Sequence, residues 1–145
     1  MMEQEREMRV GERVSGAGQE SKTDLRGMEL RCREQAAVFR ILAENCPNEL
    51  RERLLKLHRQ VHNDAMALRG MRILAGEEPE KLRNYAAGKV ALRRGLAQCY
   101  RRCCQARLDY LGCARHAEHG PVFAAMAQEE TRRMAEILAL IGMAT

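Results

Sequence analysis

The chain has 145 residues and a net charge of +5, from 25 basic and 20 acidic side chains, and 46 % of its residues are hydrophobic. This length suits a single domain with a substantial core. The mild, interleaved positive charge argues against the concentrated basic surface of a nucleic-acid binder. No apolar segment approaches the roughly 18 residues needed to span a bilayer, so neither nucleic acid nor a membrane is an expected partner.

The composition predicts an all-α protein. Aromatic residues make up only 3 % of the chain and Trp is absent, so the core must come from Leu, Ala, Met and Cys. Val and Ile are sparse, and no segment alternates with the period of two that is typical of strands. The charged N-terminus, which lacks the apolar segment of a signal peptide, predicts a cytoplasmic protein with its six cysteines reduced.

The chain divides into a tail and one folded domain. Residues 1–22 are polar and charged and include Gly11, Gly16 and Gly18, which predicts a flexible tail. Residues 23–145 then form the predicted four-helix bundle. Either Thr23 or Asp24 can cap the first helix, because both side chains accept hydrogen bonds from free N–H groups in a first helical turn.

Four amphipathic segments follow, with core positions at steps of three and four residues. Helix breaks are predicted at Pro47, Gly76, Gly120 and Gly142. Residues 77–86 form a connection longer than a tight turn, which predicts a crossover to the far side of the bundle. The predicted core positions are Leu25, Met28, Cys32, Gln35, Phe39, Leu42 and Cys46; Leu50, Leu54, Leu57, Val61, Asp64, Leu68, Met71 and Ala75; Leu92, Leu96, Cys99, Cys103, Ala106, Tyr110 and Cys113; and Phe123, Met126, Glu130, Met134, Ile137 and Ile141.

The four predicted core faces share a polar interruption near mid-helix. A buried polar group without a partner costs about 1–3 kcal/mol, so such a layer requires mutual hydrogen bonds or a ligand. This predicted layer consists of Cys32, Gln35, the stretch from Gln60 to Asp64, Cys103 and Glu130.

The chain resembles the ferritin-like domain of rubrerythrins over residues 25–142. The segments AVFRILA (37–43), LRGMRILAG (68–76) and FAAMAQEETRR (123–133) are similar to that family's first, second and fourth helices. An aromatic residue also follows Cys32 and Cys103 by seven positions, at Phe39 and Tyr110. The resemblance implies a four-helix bundle of two repeated helix pairs joined by a crossover connection, in which six Glu and His side chains bind two metal ions, usually iron.

The residues at the six implied ligand positions depart from the family. Those positions hold Cys32, Gln60, Asn63, Cys103, Glu130 and Arg133. Only the glutamate matches in type, and the arginine would repel a metal, whereas chemistry at two irons needs several carboxylates. We therefore interpret the chain as a bundle with a degenerate di-iron site, more consistent with a structural or interaction module than with an enzyme. A homodimer, or another protein partner, is expected.

A second interpretation keeps a metal or redox function. Cys32, Cys103 and Glu130 are then the candidate metal ligands of a recast site, with help from Cys99 or His62. The two cysteines face each other across the bundle if the helix pairs are related by a pseudo-twofold axis. The cofactor is left open between iron, zinc and no metal at all. Cysteines that only fill the space of lost glutamates are the competing explanation.

Three local patterns of residues allow further interpretations. Cys113, His116 and His119 have a spacing that suits zinc, although histidines at a helix C-terminus also interact favourably with its dipole. His58 and His62 lie one turn apart and are expected at the boundary of the core. Glu130 and Arg133, at i and i+3, are expected to form an internal ion pair.

Overall fold

A computed structural model describes residues 24–83, 85, 87–116 and 118–144. These residues form four helices, α1 (Leu25–Glu44), α2 (Asn48–Leu74), α3 (Leu92–His116) and α4 (Gly120–Met143), and contain no strand. The all-α prediction is therefore confirmed for this part of the chain. The predicted tail, residues 1–22, lies outside the described residues, as does Thr23, one of the two candidate caps.

The helix ends follow local sequence signals. Asp24 caps α1, since its side chain accepts a hydrogen bond of 2.9 Å from the backbone N–H of Gly27. Gly76 adopts a φ of +95°, a conformation that glycine accepts readily, directly after α2. Pro121 lies in the first turn of α4. Gly142 does not end α4 as predicted, because the last turn continues through it to Met143.

The helices pack as two pairs, α1 with α2 and α3 with α4. Within each pair the helices are separated by only three residues, 45–47 and 117–119, so each pair is an antiparallel hairpin. The pairs meet where α1 contacts α3 and where α2 contacts α4. Gly95 permits a close approach of α1 and α3, because a Cβ atom at this position would lie 2.8 Å from Leu42 Cδ2.

The connection between α2 and α3 runs alongside α1. Near its start it contacts Arg72, at the end of α2, through Glu77 and Glu80. Farther along, the guanidinium of Arg33 on α1 lies 4.7 Å from the centroid of the Tyr85 ring. Val90, just before α3, lies beside Gly95 at the place where Leu42 packs. The chain thereby returns along the bundle before α3 begins.

The core matches the predicted stripes except where the helical period drifts. On α2, Ala65 and Arg72 are buried, whereas the predicted core residues Asp64 and Ala75 are partly and fully exposed. On α4, Arg133 is buried, and Met134 is only partly buried. A helix with 3.6 residues per turn rotates relative to a strict heptad, which shifts the buried position by one residue. None of the described helices is long and apolar enough to cross a membrane.

Candidate functional site

Polar side chains from all four helices meet in the interior near mid-helix. Most of their positions lie on the predicted stripes, but those of Gln60 and Arg133 do not. The layer consists of Cys32 and Gln35 on α1, Gln60 and Asp64 on α2, Cys103 and Tyr110 on α3, and Glu130 and Arg133 on α4.

The guanidinium of Arg133 holds three members of this layer. Its Nη1 atom lies 2.7 Å from Glu130 Oε2 and 2.9 Å from Asp64 Oδ2. Its Nε atom donates to Gln60 Oε1 at 3.3 Å. Both Arg133 and Glu130 are almost wholly buried, with side-chain exposures of 2 % and 3 %. The predicted internal ion pair of Glu130 and Arg133 is confirmed, and it also includes Asp64.

This cluster holds two carboxyl groups and one guanidinium. Burial raises the pKa of Glu130 to about 7, although the charge of Arg133 acts in the opposite direction. Burial also raises the pKa of Asp64 above its ordinary value, again against the influence of Arg133. When both acids are ionised, the three groups carry one excess negative charge.

The two thiols of the layer take part in hydrogen bonds between α1 and α3. Cys32 Sγ lies 3.3 Å from Tyr110 Oη, and Gln35 Nε2 donates to Cys103 Sγ at 3.3 Å. Cys32 and Cys103, which were predicted to face each other, therefore each pair with a side chain that is not a cysteine. Burial raises the pKa of Cys32 and of Cys99 to about 12, and it raises the pKa of Cys103 as well. These groups are therefore neutral thiols near pH 7, and none of the three forms a disulfide.

The donor set does not fit the two-iron centre that the family resemblance implies. The guanidinium of Arg133 is paired with both carboxylates of the layer, Glu130 and Asp64, which are the ligand type that iron would need. Gln60 accepts from the same guanidinium, and Asn63 is exposed on α2. Among the described residues, no three His, Cys, Asp or Glu side chains gather in a way that could hold a metal ion.

The remaining predicted ligands are dispersed. Cys113 is buried in the core, whereas His116 is exposed at the end of α3 and His119 precedes α4. His58 is half-buried, with its Nδ1 atom 2.8 Å from the carbonyl oxygen of Ala36, and His62 is exposed. The two histidines of α2 therefore lie at the boundary of the core, as expected.

Sequence reasoning missed Tyr110 as a polar member of the layer and Asp64 as an ion-pair partner. The pattern placed both on the core stripes, where Tyr110 was considered only as an aromatic residue. A tyrosine hydroxyl usually has a hydrogen-bond partner when it is buried, which was the available signal. The partner itself was not predictable, because Cys32 lies 78 residues away.

A second buried ionic cluster, at the start of α1, was also missed. Glu29 Oε1 lies 2.6 Å from Arg72 Nη1, with both side chains less than 5 % exposed. Arg33 and Arg69 each approach the other Glu29 oxygen to 3.6 Å. This cluster joins α1, α2 and the start of the long connection, and it is separate from the polar layer.

The chain was compared with protein-family models, with curated proteins and with solved structures, and none of the three comparisons found a match.

Proposed function

We propose that this protein is a ferritin-like four-helix bundle that has lost most di-iron ligands and acts as a non-catalytic structural or interaction module. Two helix hairpins, a connection that returns along the bundle, and a polar layer shared by all four helices support the architecture. The function rests on one observation, the placement of Arg133 between Glu130 and Asp64.

In this proposal the guanidinium of Arg133 takes the place of bound metal ions. Metal ions in a carboxylate site balance the buried negative charge, and here the guanidinium does so through close contacts of 2.7 and 2.9 Å. The layer thiols are neutral because burial raises their pKa values, so they are poor nucleophiles and poor metal ligands. In this proposal, packing and internal ion pairs stabilise the bundle.

The partner in this proposal is a second copy of the chain. Apolar side chains are exposed at the end of α2, where Ile73 is 53 % and Leu74 is 79 % exposed, and in the following connection, where Leu82 is 54 % exposed. Apolar side chains that lie close together on a surface are typical of protein contacts. Association of two copies through this end would remove them from water.

Elemental mass spectrometry on untagged protein, purified anaerobically with reductant, tests the proposal. We expect less than about 0.1 metal equivalent per chain, together with a helical circular dichroism spectrum that is unchanged by a chelator. As a positive test of the ion-pair argument, Arg133→His should gain affinity for added Zn²⁺ or Fe²⁺, because it replaces the cation with a ligand. Two irons per chain with an oxo-bridged absorption band would contradict the proposal.

The alternative is a recast metal or thiol-redox site at Cys32, Cys103 and Glu130. One observation favours it: Cys32, Cys103 and Glu130 belong to the same polar layer, and, in addition to burial, the charge of Glu130 raises the pKa of both thiols. Labelling of the native protein with a thiol reagent separates the two functions, with the half-exposed Cys104 as internal reference. Under the main proposal Cys32 and Cys103 react at least tenfold more slowly than Cys104. Equal or faster reaction, or metal that is lost in Cys32→Ala, supports the alternative.

A further inference from the structure

A cavity of about 190 Å³ lies between α1 and α3 and reaches the polar layer. Its inner part is lined by layer residues, its walls are mostly apolar, and its mouth carries charged side chains that are exposed to solvent. The inner residues are Cys32, Gln35, Tyr110 and Glu130; the walls are Met28, Val61 and Ala106; and the mouth is formed by Arg31, Glu34, Arg102, Gln105 and Asp109.

Two buried acceptor atoms at the inner end have no hydrogen-bond partner among the described residues. They are Oε1 of Gln35 and Oε1 of Glu130, on side chains whose residues are only 6 % and 2 % exposed. The donors beside Glu130 in the described residues include the Arg133 guanidinium, which contacts Oε2, and the Cys103 thiol, which is a weak donor. Unsatisfied acceptors at this depth are costly, so a bound donor group would lower the free energy of the folded state.

The charges around the cavity favour a cationic donor. At the inner end, Glu130 and Asp64 share the single guanidinium of Arg133, which leaves one negative charge in excess when both are ionised. At the mouth, Arg31 and Arg102 are balanced by Glu34 and Asp109, so the entrance carries no net charge. The excess negative charge that a singly positive ligand would balance therefore lies at the inner end.

We propose that this cavity binds a small primary amine, whose ammonium group donates hydrogen bonds to Gln35 Oε1 and Glu130 Oε1 while its apolar body lies against Met28, Val61 and Ala106. The volume sets the size of that body. An engineered apolar cavity of about 150 Å³ accepts benzene, so about 190 Å³ accommodates a benzene-sized group with a one-carbon arm and an amine.

Benzylamine, a cation at pH 8, is the probe, and benzyl alcohol and benzoate are its neutral and anionic analogues of the same shape. Titration calorimetry on the full chain at pH 8 should show benzylamine binding at least tenfold more tightly than benzyl alcohol, with no measurable binding of benzoate. Nuclear Overhauser contacts should join the ring to the methyl groups of Met28 and Ala106. Absence of benzylamine binding, or equal binding of the amine and the alcohol, would overturn the proposal.

Variants locate the binding site. Ala106→Leu fills the cavity from α3 and should abolish binding, while Gln35→Leu and Glu130→Gln each remove one acceptor and should weaken benzylamine at least tenfold. Gln128→Ala, on the exposed face of α4, should bind like the unmodified protein. Circular dichroism identifies any variant that does not fold, and the three cavity variants test the proposal independently. Unchanged binding in a folded Ala106→Leu or Glu130→Gln variant would show that the amine binds elsewhere.

Discussion

At the residue scale, the arrangement around Arg133 explains how a charged layer persists inside an otherwise apolar bundle. Removing one partner of a buried ion pair leaves the other charge uncompensated, which costs far more than the pair contributes when intact. Arg133 has two acidic partners, so its loss would leave both Glu130 and Asp64 without a counter-charge. The neighbouring Arg132 is 67 % exposed and pairs with Glu129 at the surface.

We therefore expect Arg133→Leu to lower the free energy of unfolding by about 3–5 kcal/mol. Urea denaturation followed by circular dichroism measures this change. Arg132→Leu is the matched control on the same helix, and its effect should stay within about 1 kcal/mol because exposed ion pairs contribute little. Equal effects of the two substitutions would show that the buried cluster does not stabilise the bundle.

Glu130 makes stability depend on pH in a defined direction. Its pKa rises from 4.5 to about 7 on folding, so the folded state binds the proton more tightly than the unfolded state. The resulting stabilisation is fully present below pH 4.5 and is lost as the pH rises to about 7, by up to ~3 kcal/mol.

The measurement is the free energy of unfolding from pH 4.5 to 8 for the unmodified protein and for Glu130→Gln, which cannot titrate. The difference between the two curves cancels the contributions of groups that do not interact with Glu130. It should change by up to ~3 kcal/mol below pH 7 and then become constant. Parallel curves across the whole range would rule out a raised pKa at this position.

At the element scale, the contact between the two helix hairpins depends on the absence of a side chain at Gly95. An added Cβ atom would lie 2.8 Å from Leu42 Cδ2 and 3.0 Å from Val90 Cγ1, so neighbours from two directions would have to move. Gly112, on the same helix, has no atom within 4 Å of the equivalent position. The two glycines of α3 thus have opposite structural roles.

Gly95→Ala should lower the free energy of unfolding by about 1–3 kcal/mol, since the added methyl group overpacks the contact between α1 and α3. Gly112→Ala should instead raise it by about 0.5–1 kcal/mol, because alanine favours a helix over glycine and the position is open. Thermal and urea denaturation of both variants give the values. Stabilisation by both substitutions would mean that the hairpins are not tightly packed here.

At the scale of the whole molecule, two buried ionic clusters join the helices at different positions along the bundle. The cluster of Glu29 and Arg72 joins the first hairpin to the long connection through Glu77 and Glu80. The cluster around Arg133 joins α2 to α4 and so links the two hairpins. Apolar side chains remain exposed near the first cluster, in the last turn of α2 and in the connection after it.

The proposed homodimer predicts that Leu74→Glu shifts the protein from dimer to monomer, since the charge would be buried at the contact. Light scattering coupled to size-exclusion chromatography measures the mass directly. Leu108→Glu is the control, because Leu108 is 57 % exposed on α3 and outside the proposed contact. A monomeric unmodified protein, or a dimer that persists in Leu74→Glu, would contradict this arrangement.

Local sequence patterns were sufficient for the helices and for most of the core. The steps of three and four residues predicted each stripe, and Pro47, Gly76 and Gly120 marked the boundaries of helices. The Glu130–Arg133 pair was predictable for the same reason, because its partners lie one helical turn apart. Each of these predictions depends on interactions between residues that are near in the chain.

Contacts between distant residues were decided by packing. Nothing in the pattern joined Cys32 to Tyr110 or Asp64 to Arg133, because the rotation and depth of each helix depend on all of its neighbours. On α4 the helical period drifts by one residue, so Arg133 is buried and Met134, the predicted core residue, is only partly buried. An ionic side chain thereby occupies a position where an apolar one was predicted. The chain's periodicity therefore specifies four helices and their inner faces, whereas the chemistry of the layer arises from side chains that meet only when those faces pack together.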